Sequence, residues 1–189
     1  QWGSGTNIPF ESSLMIAGAN QETLLENKYT RAVGFFPENW TTFSETTNHF
    51  HAGGGLNLRG YAGYFVAQQG RDSTIYAVYS GTSGASINAE LEFDRLINKR
   101  ILKFIQMTPY LFFDAGSMVY EEANGKNYFS DIRMDAGIGS TFSWTWWGQL
   151  EDIKPFTVRI DLPLFLTRPP FEEVDYLMFR YIIGINRAF

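Results

Sequence analysis

The chain has 189 residues, of which 44% are hydrophobic, 17% aromatic and 19% charged, enough for about one domain and too apolar for a disordered tail. Twenty acidic against fifteen basic residues give a net charge of −5, which excludes the basic footprint of a nucleic-acid partner, and the lack of cysteine excludes disulfides and thiolate zinc sites. No stretch of about 18 apolar residues occurs, so a helical membrane span is excluded, whereas a transmembrane strand needs only about 9–11 residues of alternating pattern and stays open.

Abundant Phe, Tyr, Trp and Gly suit twisted strands and tight turns and predict an all-β protein. In chain order, residues 10–19 and 24–35 are weak strand candidates. Periodicity fails over residues 36–64, predicting a long loop that carries Gly53, Gly54 and Gly55 and then Arg59, Gly60 and Tyr61; loops of this length are usually functional. Residues 65–84 fit a loop return, an extra hairpin or part of the next strand. In 86–94 the segregation is complete, with Ile87, Ala89, Leu91 and Phe93 on one face and Asn88, Glu90, Glu92 and Asp94 on the other. Residues 94–103 read as a short polar connection. A shorter strand, 110–116, sets Leu111, Phe113 and Ala115 against Asp114, and residues 117–131 read as a loop.

Over 132–146, Ile132, Met134, Ala136, Ile138, Phe142, Trp144 and Trp146 oppose Arg133, Asp135, Gly137, Gly139, Thr141 and Ser143, with Ser140 as the one break. After a polar connection at 148–153, residues 156–162 set Phe156, Val158, Ile160 and Leu162 against Thr157, Arg159 and Asp161. Residues 167–175 read as a loop. The last segment, 176–189, runs Leu177, Phe179, Tyr181, Ile183 and Ile185 to a terminal Phe189, with Arg187 the exception near an end where a long side chain can snorkel.

These segments order as an antiparallel up-and-down meander with a lipid-suited face and a water-suited face. One sheet of a soluble sandwich would also alternate, but it gives no reason for Trp144, Trp146 and Trp147 to cluster at a strand end, as an aromatic girdle does. The expectation is therefore the C-terminal portion of a transmembrane β-barrel with a long inward-folded loop, spanning residues 1–189. Five to seven strands are fewer than the eight of the smallest bacterial barrels. Open edges in lipid are costly, so the remaining strands are expected from upstream sequence or from another copy.

The stretch Phe50-His51-Ala52-Gly53-Gly54-Gly55-Leu56-Asn57-Leu58-Arg59-Gly60-Tyr61 resembles the inward-folded loop of the BamA/TamA-like outer-membrane assembly factors, the bacterial surface-antigen superfamily. Its signature there is an Arg-Gly-Tyr or Arg-Gly-Phe tip after a Gly-Gly pair. Glu90-Leu91-Glu92-Phe93, Phe112-Phe113-Asp114-Ala115-Gly116 and Ala136-Gly137-Ile138-Gly139 resemble the family's next strands in the same order, so that the likeness covers residues 43–189. It implies an ionic latch in which the loop arginine, Arg59, reaches the strand carboxylates Glu92 and Asp114, Gly60 lets the tip turn, and Tyr61 packs on the wall. Independently, alternation points Glu92 and Asp114 away from lipid, where they need a cation. The residues alone leave a second reading open, in which the acids line a wet pore and Arg59 hangs in solvent.

Other apparent chemistry is weak. The glycine spacing of residues 55–61 lacks the Lys-Ser/Thr of a P-loop, His49 and His51 lack a third ligand for a metal, and no serine has a nucleophile-elbow pattern. Asn39-Trp40-Thr41 is a formal sequon without meaning in a bacterium. The resulting expectation is a bacterial outer-membrane protein, without cofactor or catalytic residues, that inserts barrel proteins or translocates polypeptides. Its partners would be outer-membrane lipid, client barrel or secreted polypeptides, and accessory outer-membrane or periplasmic proteins. The seam strand and C-terminal signal would comprise Tyr181, Ile183, Gly184, Ile185 and Phe189. Rival expectations are a membrane anchor for an upstream protease or lipase domain, a porin-like channel, and a soluble β-sandwich.

Overall fold

A computed structural model describes residues 9, 12–19, 50–63, 66–94, 99–102, 104–144, 156–167, 176–177 and 179–185. The described residues are all-β. In chain order they form β1 (Leu14–Met15), β2 (Phe50–Ala52), a 3-10 turn at Arg59–Tyr61, β3 (Ala67–Gln69), β4 (Ile75–Ala77), β5 (Ser80–Gly81) and β6 (Gly84–Glu92). These are followed by β7 (Lys99–Leu102), β8 (Ile105–Glu121), β9 (Asn127–Phe129), β10 (Arg133–Trp144), β11 (Phe156–Leu166) and β12 (Ile182–Ile185).

One strongly curled sheet contains β2, β12, β11, β10, β8 and β6 in that order, with β7 and β9 also paired to β8. It is a half-barrel and does not close. Pairing is antiparallel from β6 round to β12, and β2 adds to β12 in parallel, opposite Ile183, Gly184 and Ile185. The sheet is thus mixed where a purely antiparallel meander was expected, because a segment of the long loop has joined it.

The meander is longer than its periodicity suggests. β8 runs 17 residues, well beyond 110–116. Its first turn of pairing is with β7, inside the expected polar connection at 94–103, and its last is with β9, inside the expected loop at 117–131. Polar residues there pair as strand because cross-strand hydrogen bonds do not depend on side-chain type, and because Met118 and Tyr120 alternate into a core. β11 likewise continues past Leu162 through Pro163, where a register shift between Ala136 and Gly137 accommodates the missing N–H. Within residues 65–84 the extra hairpin forms, as β3 and β4. Of the weak N-terminal candidates, 14–15 pairs with β5, whereas 24–35 lies outside the described residues, as do Trp146, Trp147, Arg187 and Phe189.

Alternation sorts the two faces. Ile87 is 73% exposed and Leu91 59% on the convex face, with Leu111, Phe113, Ile138, Ile160, Phe179, Tyr181 and Ile183 beside them. Asp114, Asp135, Asp161 and Arg133 are 0% exposed on the concave face. This inverts the usual rule that charges face water and large apolar groups hide from it. The conventional core is small and lies at one end of the concave face, where Met118, Tyr120, Leu166 and Ile182 meet Ile16, Leu56, Leu58, Tyr61, Val66 and Val78.

Glycines let large rings lie on the concave wall. Gly139 faces Tyr110 and Gly137 faces Phe112 across β8 and β10. A Cβ at Gly139 would stand 2.5 Å from Asp161 Oδ1, and one at Gly137 2.8 Å from Phe112 Cζ. The rings fill the space the glycines leave, a cross-strand pairing that also shields the backbone. Gly139→Val is expected to lower stability by about 1–3 kcal/mol through overpacking, read as a denaturant midpoint in detergent, while Ser140→Val on the opposite face leaves the midpoint within about 0.5 kcal/mol.

Candidate functional site

The loop tip is buried in the concave face. Leu56 N bonds the Met15 carbonyl at 2.9 Å and Leu58 N the Ile16 carbonyl at 3.0 Å, which ties the loop to the N-terminal segment. The triglycine run makes that approach possible: Gly54 (φ +143°) and Gly55 (φ +62°) adopt backbone conformations that side chains disfavour, and a Cβ at Gly54 would lie 2.9 Å from Ala19 Cα. The chain then turns once at Arg59–Tyr61, all three residues buried.

Arg59 is the centre of the site. Its Nε donates to Asp114 Oδ2 at 2.7 Å and its Nη2 to Asp114 Oδ1 at 3.2 Å, a two-point grip that fits the guanidinium plane. Nη1 donates to Glu90 Oε1 at 2.5 Å, and the guanidinium lies 4.4 Å from the centroid of the Phe112 ring. Burial acts against the charge on Arg59, but the Asp114 carboxylate outweighs it and raises the guanidinium's pKa above its ordinary value. Asn88 Nδ2 donates to Asp114 Oδ1 at 3.0 Å and to the Asn57 carbonyl at 3.1 Å, fixing the acid and the loop together. Register explains the cluster: Asn88 pairs with Asp114 and Glu90 with Phe112 on β6 and β8, so all four point to the same face.

The expected Arg59–Asp114 pair is present. The second carboxylate on Arg59 is Glu90, whereas Glu92, which the resemblance implied, is exposed at the end of β6. Two residues along a strand preserve the face but shift position by about 7 Å, and only Glu90 lies level with the loop tip. Gly60 rests on Asp135, where a Cβ would meet Asp135 Cβ at 2.7 Å and Cγ at 2.8 Å, so the glycine serves close approach. Tyr61 packs in the core; its hydroxyl donates to the Thr167 carbonyl and lies 3.0 Å from Thr167 Oγ1.

Three further arginines complete the site. Arg180 Nη1 donates to the Gly60 carbonyl at 2.8 Å, and its Nη2 to the Ala62 carbonyl, so the chain just before β12 grips the turn. Arg133 Nη2 donates to the Ala67 carbonyl. Arg159 Nε lies 2.5 Å from Asp161 Oδ2, and the Tyr110 hydroxyl donates to Asp161 Oδ1. Inward alternation flagged Arg133 and Arg159 as polar-face residues; the same spacing puts Arg180, between outward Phe179 and Tyr181, on the inward face, but the local sequence names no partner for it.

Arg159 Nη2 also lies 2.5 Å from His51 Nδ1. His51 is on the inward loop, not on a strand of the meander, and a cation at this distance opposes a metal on the same imidazole. Burial first, then the Arg159 and Arg59 charges, push the His51 pKa well below 6.5. His49 and the sequon residues Asn39, Trp40 and Thr41, also singled out in the loop by the sequence, lie outside the described residues.

Comparison of the chain with protein-family models, curated proteins and solved structures found no match in any of the three.

Arg59→Ala leaves Asp114 buried without its cation, and removing one partner of a buried pair costs about 3–5 kcal/mol. The expected result is a denaturant midpoint lowered accordingly, with Arg59→Lys recovering part of it, since an ammonium keeps the charge and loses the fork. A second expectation concerns pH. A base whose folded pKa is depressed stabilises the fold when neutral, so this contribution is complete above about pH 6.5 and is lost as pH falls below it. Thermal midpoints should drop below that pH, and His51→Gln should remove that component.

Proposed function

We propose that this chain is part of an outer-membrane β-barrel of the BamA/TamA-like superfamily, which inserts barrel proteins or passes polypeptides across that membrane. The observation that carries the reading is the pairing of an Arg-Gly-Tyr loop tip with strand carboxylates inside a half-barrel whose other face is apolar. Arg59 pairs with Asp114 and Glu90 on the concave side, and the convex side exposes large apolar side chains on neighbouring strands suited to hydrocarbon. Among the described residues no helix is long and apolar enough to cross a membrane, so any crossing here would be by strands.

In this reading the loop is a brace. It ties β6 and β8 through Arg59 to the chain before β12 through Arg180, which holds the wall and the last strand in one relative position. The last strand forms one side of a seam. A strand edge with unpaired N–H and C=O groups accepts another strand, and an edge held at a seam offers a client polypeptide a template where water is scarce. A loop that fills the concave face with ion pairs argues against a plain open channel. No covalent chemistry is required of any residue.

Two results test this. Full-length protein extracted from its membrane should migrate differently in a gel before and after boiling; recovery without detergent and unchanged mobility would overturn the membrane reading. In cells or vesicles relying on the variant, Arg59→Ala should slow assembly of client barrels several-fold, and wild-type assembly would remove the brace from the mechanism.

A further inference from the structure

Asp114 and Asp135 are direct partners across β8 and β10, both 0% exposed on the concave face. Residues so opposed have Cβ atoms about 4.5–5.5 Å apart, and the two carboxyl groups lie within hydrogen-bonding reach of each other. Their surroundings differ. Asp114 accepts from Arg59 Nε at 2.7 Å, from Arg59 Nη2 at 3.2 Å and from Asn88 Nδ2 at 3.0 Å, the donor set of an ionised carboxylate. Neither oxygen of Asp135 has a hydrogen-bond partner among the described residues, and no cation there stands within ion-pair distance of it.

The charged and titratable groups around Asp135 come from every neighbouring element. On its own strand Arg133, two residues before it on the same face, donates to the Ala67 carbonyl. From the turn come Arg59, which spans Asp114 and Glu90 of β6, and Tyr61, whose hydroxyl donates to the Thr167 carbonyl. Arg180, before β12, donates to the carbonyls of Gly60 and Ala62. On β11 Asp161, opposite Gly139 and so four residues along β10, is met by Arg159. A buried carboxylate without donors or a cation is far more costly than a buried neutral acid, and two like charges directly opposite on a sheet repel.

We propose that Asp114 and Asp135 form a proton-binding site, in which Asp135 is the neutral carboxylic acid and its hydroxyl donates to the Asp114 carboxylate that Arg59 grips from the loop. Asp114 is the acceptor because its donors already fix it as the ionised member; Asp135 is the donor because nothing else compensates it. The ligand is a proton rather than a metal, since the turn closes directly on the carboxyl group: a Cβ on Gly60 would stand 2.8 Å from Asp135 Cγ and 3.1 Å from its Oδ1. Among the described residues no group of three or more His, Cys, Asp or Glu could hold a metal ion. The proton comes from water as the loop tip docks, so the latch that holds Arg59 on β8 also ties β8 to β10 beneath Gly60. The site stands on this geometry alone, independent of whether the chain crosses a membrane.

Infrared difference spectra of the folded full-length protein at neutral pH test this. The parent is expected to show the C=O stretch of a protonated carboxyl group, sensitive to exchange into heavy water, that Asp135→Asn removes and Glu92→Gln, at an exposed acid, leaves in place. No such band in the parent, or a band that persists in Asp135→Asn, would overturn the site. Stability gives a second readout. Asn reproduces the shape and neutrality of the acid form and can still donate to Asp114, so the folding equilibrium constant of Asp135→Asn is expected within about tenfold of the parent's. Had Asp135 been an ionised partner of a buried cation, its replacement would lower that constant about a hundredfold or more; a loss of that size, or a variant that does not fold, would overturn the proposal.

Discussion

The structure turns on the compensation of carboxylates that the sheet holds on its concave side. Asp114, Asp135 and Asp161 sit on three neighbouring strands, all on the inner face and all fully buried. An isolated buried carboxylate is too costly to keep charged, and the meander cannot shed these acids, since register assigns them to that face. Arg59 meets Asp114 from the loop, and Arg159 meets Asp161 from within its own strand; Asp135 lies between them with no hydrogen-bond partner on either carboxylate oxygen among the described residues. The loop is therefore drawn inward by electrostatics, and its fold follows from where the acids stand.

That constraint organises the rest of the concave side. Arg59 can reach Asp114 only if the turn lies against β10, which requires Gly60 at Asp135. The turn lies flat only if the chain behind it passes close to residues 15–19, which is the work of Gly54 and Gly55. Large rings from β8 then cover Gly137 and Gly139 on β10, so aromatic surface and charge share the interior. The apolar residues excluded from this packing are left on the outside. A conventional core forms only where the concave face meets the loops, around Tyr61, Met118 and Leu166.

A consequence is that the loop communicates with both ends of the sheet. Arg59 touches β6 and β8 at one side, while Arg180 and β2 bring the same loop to the last strand at the other. The grips differ in kind. The Arg59 end is bidentate, charged and enclosed; the β2 end is short, parallel and built over a glycine.

How far this was legible from the chain differs by feature. Alternation at Asn88, Glu90, Asp114, Arg133, Asp135, Arg159 and Asp161 assigned each to the inward face, since period-2 spacing is a local property of a pleated strand. The same reasoning could not choose Glu90 over Glu92, as both share a face and the choice depends on the height at which the loop tip enters. The strand extensions at β7 and β9 were missed because these segments are only four and three residues long and mix polar with apolar residues without a clear alternation, and backbone pairing leaves no mark on side-chain pattern. Alternation with outward Phe179 and Tyr181 puts Arg180 inward, but its partners are carbonyls 118 and 120 residues away, which no local pattern names.

By itself, then, the sequence determined the all-β class, the two faces of the long strands and the inward side of Asp114, because periodicity is written in neighbouring residues; that Arg59 meets Asp114 was an expectation from resemblance, with a solvent-exposed Arg59 left open by the residues alone. Only the tertiary structure decided that the sheet curls without closing, that Glu90 is the second acid, that Arg180 holds the turn and that β2 takes the edge of β12. Those outcomes depend on register and on contacts between residues about 30 to 130 positions apart, distances over which a linear pattern carries no geometric information.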